Sequence, residues 1–342
     1  MGYQTQSYLQ GAFEGIEKCD FAVNGCVIPT ASFVAELQGL SQGESLFDGD
    51  HWLATRSAAF DKAAAETGSR KQTQSDCKRI DRNWKIFQLN EWAMREDFAW
   101  LKENTQETQP VPAGVTVIGD DILIEKGAIV RPSIINTETG PVYLAKDSEI
   151  MEGSLVRGGL ALMEGSQLKM GAKIYGSTTI GPHSKVGGEV NNAVIFGYSN
   201  KGHDGFLGNS VIGEWCNLGA DTNTSNLKNN YADVKIYNYA LKRSESTGGQ
   251  FCGLTMGDHA KSGINTMFNT GTVCGIFANV FGGDFPHRNI PDFGWGGSEG
   301  FKTFRIADAL EVAEKVMIRR GIELSAEWRA IYTHLFEELT AK

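Results

Sequence analysis

Proline, paired cysteines and excess positive charge are what this sequence lacks. Only 8 prolines stand against 41 glycines in 342 residues. Its turns must therefore be made by glycine rather than by ring-locked backbone, and without a Gly-X-Y period collagen is excluded. The net charge of -9 and the pI near 5.3 exclude a broad nucleic-acid-binding face, which would be basic. A local anion site stays open. The cysteines, Cys19, Cys26, Cys77, Cys216, Cys252 and Cys274, form no CxxC pair, and no cationic start leads into an apolar signal core. These features read as a reduced, cytoplasmic chain. No run approaches the 18 apolar residues that a spanning helix needs, so no membrane partner is expected.

What is present is a large apolar fraction, 41%, and a repeat. The length predicts two or three structural units. Between Leu144 and Val186 every sixth residue is aliphatic: Leu144, Ile150, Val156, Leu162, Leu168, Ile174, Ile180, Val186. Two residues before each stands Val142, Ser148, Ser154, Leu160, Ser166, Ala172, Thr178 or Ser184, most of them small. A helix of period 3.6 cannot hold a six-residue step on one face, whereas short strands joined by turns can stack each aliphatic residue in one interior row. Six-residue periodicity therefore means a β-solenoid.

The same step appears earlier at Val117, Leu123, Ile129 and Ile135, shifted in phase by an insertion between 136 and 141. It returns later at Met256, Ser262, Phe268, Cys274 and Val280, with Ile212 and Leu218 between. Two interruptions, 191–209 and 222–250, read either as functional excursions or as tolerated surface insertions.

Around this solenoid lie three other pieces. Residues 84–103 carry Ile86, Leu89, Ala93, Phe98 and Leu101 at helical steps, predicting an amphipathic helix across the open first coil. Phe21 to Pro29 followed by Ser32 to Leu40 predicts a strand and then a helix, in a piece too small for a complete α/β domain. Beyond Gly300, residues 304–320 and 325–340 predict two helices broken at Gly321, either capping the far end or packing on a neighbouring subunit. The domain plan is thus 1–83 as a partial α/β segment, 84–108 as a linker helix, 109–300 as the β-helix and 301–342 as C-terminal helices.

A solenoid exposes flat sides, so a base, an anion clamp and a backbone channel are the features to seek. The best cluster is Asn200-Lys201-Gly202-His203-Asp204-Gly205-Phe206-Leu207-Gly208-Asn209, followed by Asn217-Leu218-Gly219-Ala220-Asp221-Thr222. This run, like the hexads around it, resembles the acetyltransferase domain of the bifunctional N-acetylglucosamine-1-phosphate uridyltransferase/glucosamine-1-phosphate N-acetyltransferase family. The resemblance is closer to the variant of Bacteroidetes-type bacteria, through IYGSTTIGPHSKVGGEVNN, GNSVIGEWCNLGADTNTSNLKNNY and GDHAKSGINTMFNTGT, and covers residues 20 to 300.

The resemblance implies a mainly β protein built on a left-handed parallel β-helix of hexapeptide repeats, with an α/β remnant, C-terminal helices and a homotrimer with sites between subunits. It implies acetyl transfer from acetyl-CoA to the amine of glucosamine-1-phosphate, with His203 as the base. Imidazole suits that task because its ordinary pKa lies near working pH. A loop histidine bonded to backbone is the plainer reading.

Lys173 and Asn191 fall where the family places an arginine and a lysine on the sugar phosphate, and Phe206 replaces a tyrosine. The clamp is therefore altered, since lysine lacks the bidentate fork of arginine. Lys201 could restore charge or be a solvated loop residue. Asn217 and Asn226 match family asparagines near the sugar and the amine, or are turn residues tolerant of positive φ. Backbone around Gly257, Ile264, Gly282 and Gly283 is implied to bind acetyl-CoA.

His183, His259 and His287 are rival histidines in turns and a loop. None has a cysteine or carboxylate at metal-ligand spacing, so no metal is expected. The Gly-x-Gly-Thr-Arg loop of the uridyltransferase half is absent, which argues against nucleotidyl transfer by these residues.

Overall fold

The computed structural model describes residues 2–15, 19–57, 61, 65 and 68–341. It comprises two compact units, one of Met1–Lys85 with Ala326–Ile331 and one of Ile86–Ser325 with Tyr332–Lys342. Parts of the expected N-terminal α/β piece, 16–18 and 58–60, lie outside the described residues.

In the first unit a four-stranded sheet runs in the order Phe21–Val23, His51–Arg56, Glu44–Asp48, Ser69–Gln72. Helix α1, Ala31–Gln38, begins at Thr30, whose hydroxyl accepts from the Phe33 amide at 3.1 Å and so satisfies one free N–H of the first turn. It buries Phe33 and Leu37 against Leu46 and Leu53. The predicted strand before it is two short strands, Phe21–Val23 and Val27–Ile28.

The second unit is a parallel β-helix with three faces. Its first face stacks strands at 116–118, 134–136, 155–157, 173–175, 189–191 and 206–208. The second runs from 122–124 through 142–144, 160–162, 178–180, 193–195, 210–212, 254–256 and 272–274 to 289–290. The third runs from 129–130 through 149–150, 167–168, 185–186, 200–201, 217–218, 261–262 and 279–280 to 294–297. All eight aliphatic residues from Leu144 to Val186 are buried in one continuous core. The small residues between them are buried too, because the chain turns sharply there; Ser154 and Ser166 bond turn carbonyls.

Two sequence expectations need correction. In the first coil the interior residues are Ile124 and Val130, register partners of Leu144 and Ile150, not Leu123 and Ile129. Ile129 is 44% exposed. A one-residue slip turns a strand residue to the other face, and a six-residue count carried over a coil of unequal hexads makes that slip. The stretch 191–209 is also no excursion: its strands stay in register, but the coil is short, with only 15 residues from Val186 to its partner Lys201. By contrast, within 222–250 the chain does leave the solenoid: Asn223–Thr224 still pair in parallel with Met267–Phe268, and the excursion beyond them holds an antiparallel hairpin of Lys235–Asn238 with Arg243–Ser246.

The predicted linker helix is two, α2 at Trp84–Gln88 and α3 at Asn90–Asn104. Helix α3 lies along the second face rather than over the open coil: Phe98 and Leu101 pack on Leu123, Tyr143, Ala145, Ala161 and Met163. The Asn90 amide donates to the Ser177 carbonyl at 2.7 Å and accepts from the Thr179 hydroxyl at 2.8 Å. Helices α4, Ile306–Ile318, and α5, Ala326–Thr340, follow the last coil.

One corner carries a ladder of rings. His183, Tyr198, Trp215, His259, Phe277 and Phe293 occupy equivalent positions between the second and third faces, all with φ between 52 and 59°. Neighbouring rings stack nearly parallel, with Tyr198 and Trp215 at 4.2 Å and 6°. Tyr332 and Phe336 of α5 meet the ladder edge-on. Left-handed backbone is unfavourable for bulky side chains, and the stacking of flat rings compensates for it here.

Candidate functional site

The chain passes from the third face to the first through a column of turns, and His203 stands in that column. Its turn, 202–205, folds directly over Gly188, where an added Cβ would lie 2.8–3.0 Å from Asp204, His203 and Gly205 backbone. Only glycine permits that approach, and it fixes the turn against the coil beneath. The imidazole of His203 is exposed and has no hydrogen-bond partner among the described residues. Its carbonyl accepts from the Lys201 ammonium at 2.7 Å.

Lys201 departs from the expected solvated loop or phosphate contact. It occupies an interior strand position, partnered with Val186 and 3% exposed. Burial lowers its pKa to about 8, opposed by Asp204 and Asp221. The buried ammonium needs an acceptor, and the His203 carbonyl supplies one. Lys201 thus pins the His203 turn from inside.

Ile264, Gly282 and Gly283 lie in the same column of turns, two and three coils beyond His203. With strands spaced about 4.8 Å apart, the column offers roughly 14 Å of continuous edge from His203 to Gly282. Ile264 is 71% exposed, and nothing lies within 4 Å of a Cβ built on Gly282 or Gly283. Gly257 lies elsewhere: it enters the aromatic corner, where a Cβ would meet Ile276 at 2.9 Å.

The first face gathers most of the remaining candidates. Lys173, Glu189 and Phe206 are successive register partners, as are Tyr175, Asn191 and Gly208. Tyr175 donates to the Glu189 carboxylate, and burial followed by that bond pushes its pKa up to about 12. Asn226 lies beside Gly208 and donates to Asn209 at 2.7 Å. Asn217 does not join them: it is on the third face between Asn200 and Lys261. The sequence reading missed Tyr175 and Glu189. Their offset of one coil from Asn191 and Phe206 was the available signal, blurred by the shortened coil.

Asn191 also lines a cleft of 310 Å³ with Phe87, Gln88, Ser177, Asn192, Asn209 and Phe251. With its amide turned to donate to the Ser177 and Phe87 carbonyls, Asn192 accepts from Asn209. Glu91 lines the same cleft, so it is an amide-lined recess with one carboxylate at its wall, suited to hydroxyl groups.

The coils, corners and exposed histidine define a hexapeptide-repeat β-helix protein. Residues 1–106 match the model of the sugar nucleotidyl transferase family. The chain is 30% identical over 213 residues to a bifunctional sugar-1-phosphate nucleotidylyltransferase/acetyltransferase of Sulfurisphaera tokodaii, covering 62% of this chain and 46% of that protein. It is 29% identical over 196 residues to the bifunctional protein GlmU of Methanocaldococcus jannaschii, covering 57% and 41%. The chain is thus similar to bifunctional nucleotidyltransferase/acetyltransferases, and it spans about half the length of these curated relatives. Among solved structures, the polySia-specific acetyltransferase NeuO aligns at 12% identity and a TM-score of 0.26, over 60% of this chain and all of that one. LpxA, a UDP-N-acetylglucosamine acyltransferase from Bacteroides fragilis, aligns at 14% identity and 0.22, over 66% and 96%.

Proposed function

We propose that this protein transfers acetyl from acetyl-CoA to the amine of an amino-sugar phosphate, glucosamine-1-phosphate, in the route to UDP-N-acetylglucosamine. The observation that carries the reading is the shared column of turns, with His203 on the same edge as Ile264, Gly282 and Gly283. A coenzyme laid along that edge makes backbone contacts and brings its thioester to the imidazole. His203 takes the proton from the amine as the nitrogen attacks the thioester carbonyl, and the intermediate collapses with loss of the coenzyme thiolate. Lys201 positions the histidine by holding its carbonyl. The active assembly is a homotrimer in the cytoplasm.

A second reading keeps the chemistry and changes the acceptor. It is favoured by Glu189, which stands between Lys173 and Phe206 on the first face, where its charge opposes a phosphate. Thiol release from acetyl-CoA with a panel of amino sugars and their phosphates tests both. Release with glucosamine-1-phosphate that disappears in His203→Ala supports the first, and release only with another amine supports the second. Thiol release by His203→Ala at the native rate would remove His203 as the base.

A further inference from the structure

Four basic side chains converge beside the His203 column without any acidic partner. Lys169 is the turn residue two coils beneath Gly202: its Cβ and the Gly202 carbonyl oxygen flank the same Gly187, at 3.1 and 2.7 Å from a Cβ built there. Lys185 points outward from the adjoining strand of the third face. Arg319 and Arg320 end helix α4, and Arg320 donates to the Asn200 side chain, one coil above Lys185, at 3.4 Å.

Several cations elsewhere pair: Lys78, Lys85, Arg95, Lys102, Arg131, Arg305 and Lys315 each have a carboxylate within 4 Å. Among the described residues Lys169, Lys185, Arg319 and Arg320 form no ion pair. Burial lowers the pKa of Lys185, and the charges that lower it further are Arg320, Lys169 and Arg319. Arginines at a helix C-terminus are favoured by the helix dipole, but Lys169 and Lys185 are on the solenoid and gain nothing from it. In a chain of net charge -9, an uncompensated cluster of four cations is an electrostatic cost that a bound anion removes.

We infer that Lys169, Lys185, Arg319 and Arg320 form a binding site for a phosphoryl group, two coils below His203 and roughly 10 Å from it along the column of turns. Arginine forks and lysine point charges together match phosphate oxygens. The site adds positive charge to that of Lys173 on the first face, where Glu189 is its register partner. Its assignment to a ligand of the transfer reaction rests on the function proposed above, while anion binding itself does not. Two sources share the chemistry, the phosphate of the acceptor and the phosphates of the coenzyme.

Calorimetric titration of the whole chain with pyrophosphate tests the site. Saturable binding is expected, weakened at least tenfold in Lys185→Gln/Arg320→Gln, retained in Lys185→Arg, and unchanged in His203→Ala. No binding, or equal affinity in the double glutamine variant with an unchanged melting temperature, overturns the inference. Displacement by glucosamine-1-phosphate but not glucosamine assigns the acceptor, and displacement by coenzyme A but not its 3′-dephospho form assigns the coenzyme. Displacement by none of these overturns a role in the transfer. If pyrophosphate binds and no thiol is released with any amino sugar, the function proposed above fails and the anion site stands.

Discussion

The coils below Val186 and those above it are built to different rules. Below, coils of 18 residues, as from Ile150 to Leu168 to Val186, present an all-aliphatic interior, and the corners carry Gly127, Asp147 and Gly165. Above, the first coil shortens, Lys201 enters the interior, rings replace small residues at one corner, and a hairpin leaves at another. The lower coils show what the solenoid needs to stand. The upper coils show what it tolerates when a side chain must be placed. Two of these departures are matched by specific partners: the His203 carbonyl for Lys201, and ring on ring for the left-handed corners.

The sharpest test of this difference is functional. His203→Ala is expected to lower thiol release by roughly 10²–10⁴-fold, the usual contribution of a general base, whereas His183→Ala, in the ladder, leaves turnover within about twofold. Next come the interior rows. Leu168→Ala below and Phe268→Ala above are each expected to cost about 2–5 kcal/mol in denaturant unfolding, because neither rigid coil collapses around the void. A much smaller loss in the upper coils would show that their packing is looser than their burial indicates.

Two of the buried titratable groups above Val186, His259 and Lys201, make the comparison dependent on pH. His259 is fully buried, and burial, then Lys261, lowers its pKa to about 3. Its ordinary value in the unfolded chain is about 6.5. Between those values the unfolded state binds the extra proton, so stability falls as pH drops from 6.5 toward 3, by up to about 1.4 kcal/mol per pH unit. His259→Phe, which keeps a ring in the ladder, should flatten that part of the pH–stability curve.

Lys201 follows the same sign in a higher window, with a folded pKa of about 8 against an ordinary 10.5. Here the unfolded chain again holds the proton more tightly, so stability rises as pH increases from 8 to 10.5. Lys201→Met removes that rise and, by freeing the His203 turn, lowers turnover about tenfold. The smallest effect is expected at Ile129, whose outward position limits Ile129→Ser to about 0.5 kcal/mol. A loss near 3 kcal/mol would place it inside a subunit interface.

The hexad row from Leu144 to Val186 was fully legible because strand alternation and a constant coil length leave one solution. Ile124 and Val130 were not, because the first side of that coil is one residue long and its last side one residue short, which reverses which residue faces inward between them. His203 stood out through its neighbours. The burial of Lys201 could not be read, since a lysine beside a turn looks solvated until the pairing with Val186 is known. Arg319 and Arg320 were hidden for another reason: about 120 residues separate them from Asn200, and sequence order says nothing of where a trailing helix docks.

The ring ladder turns Trp215 into an optical gauge of the upper coils. Its indole lies flat on Tyr198 at 4.2 Å and faces His259 at 6.1 Å, and Tyr332 of helix α5 meets the same His259. Emission from a ring held in that way registers any slippage of the helix over the corner. A shift of the Trp215 spectrum in Tyr332→Ala, with the other six tryptophans replaced by phenylalanine, would therefore report on α5 undocking before the coils themselves unravel.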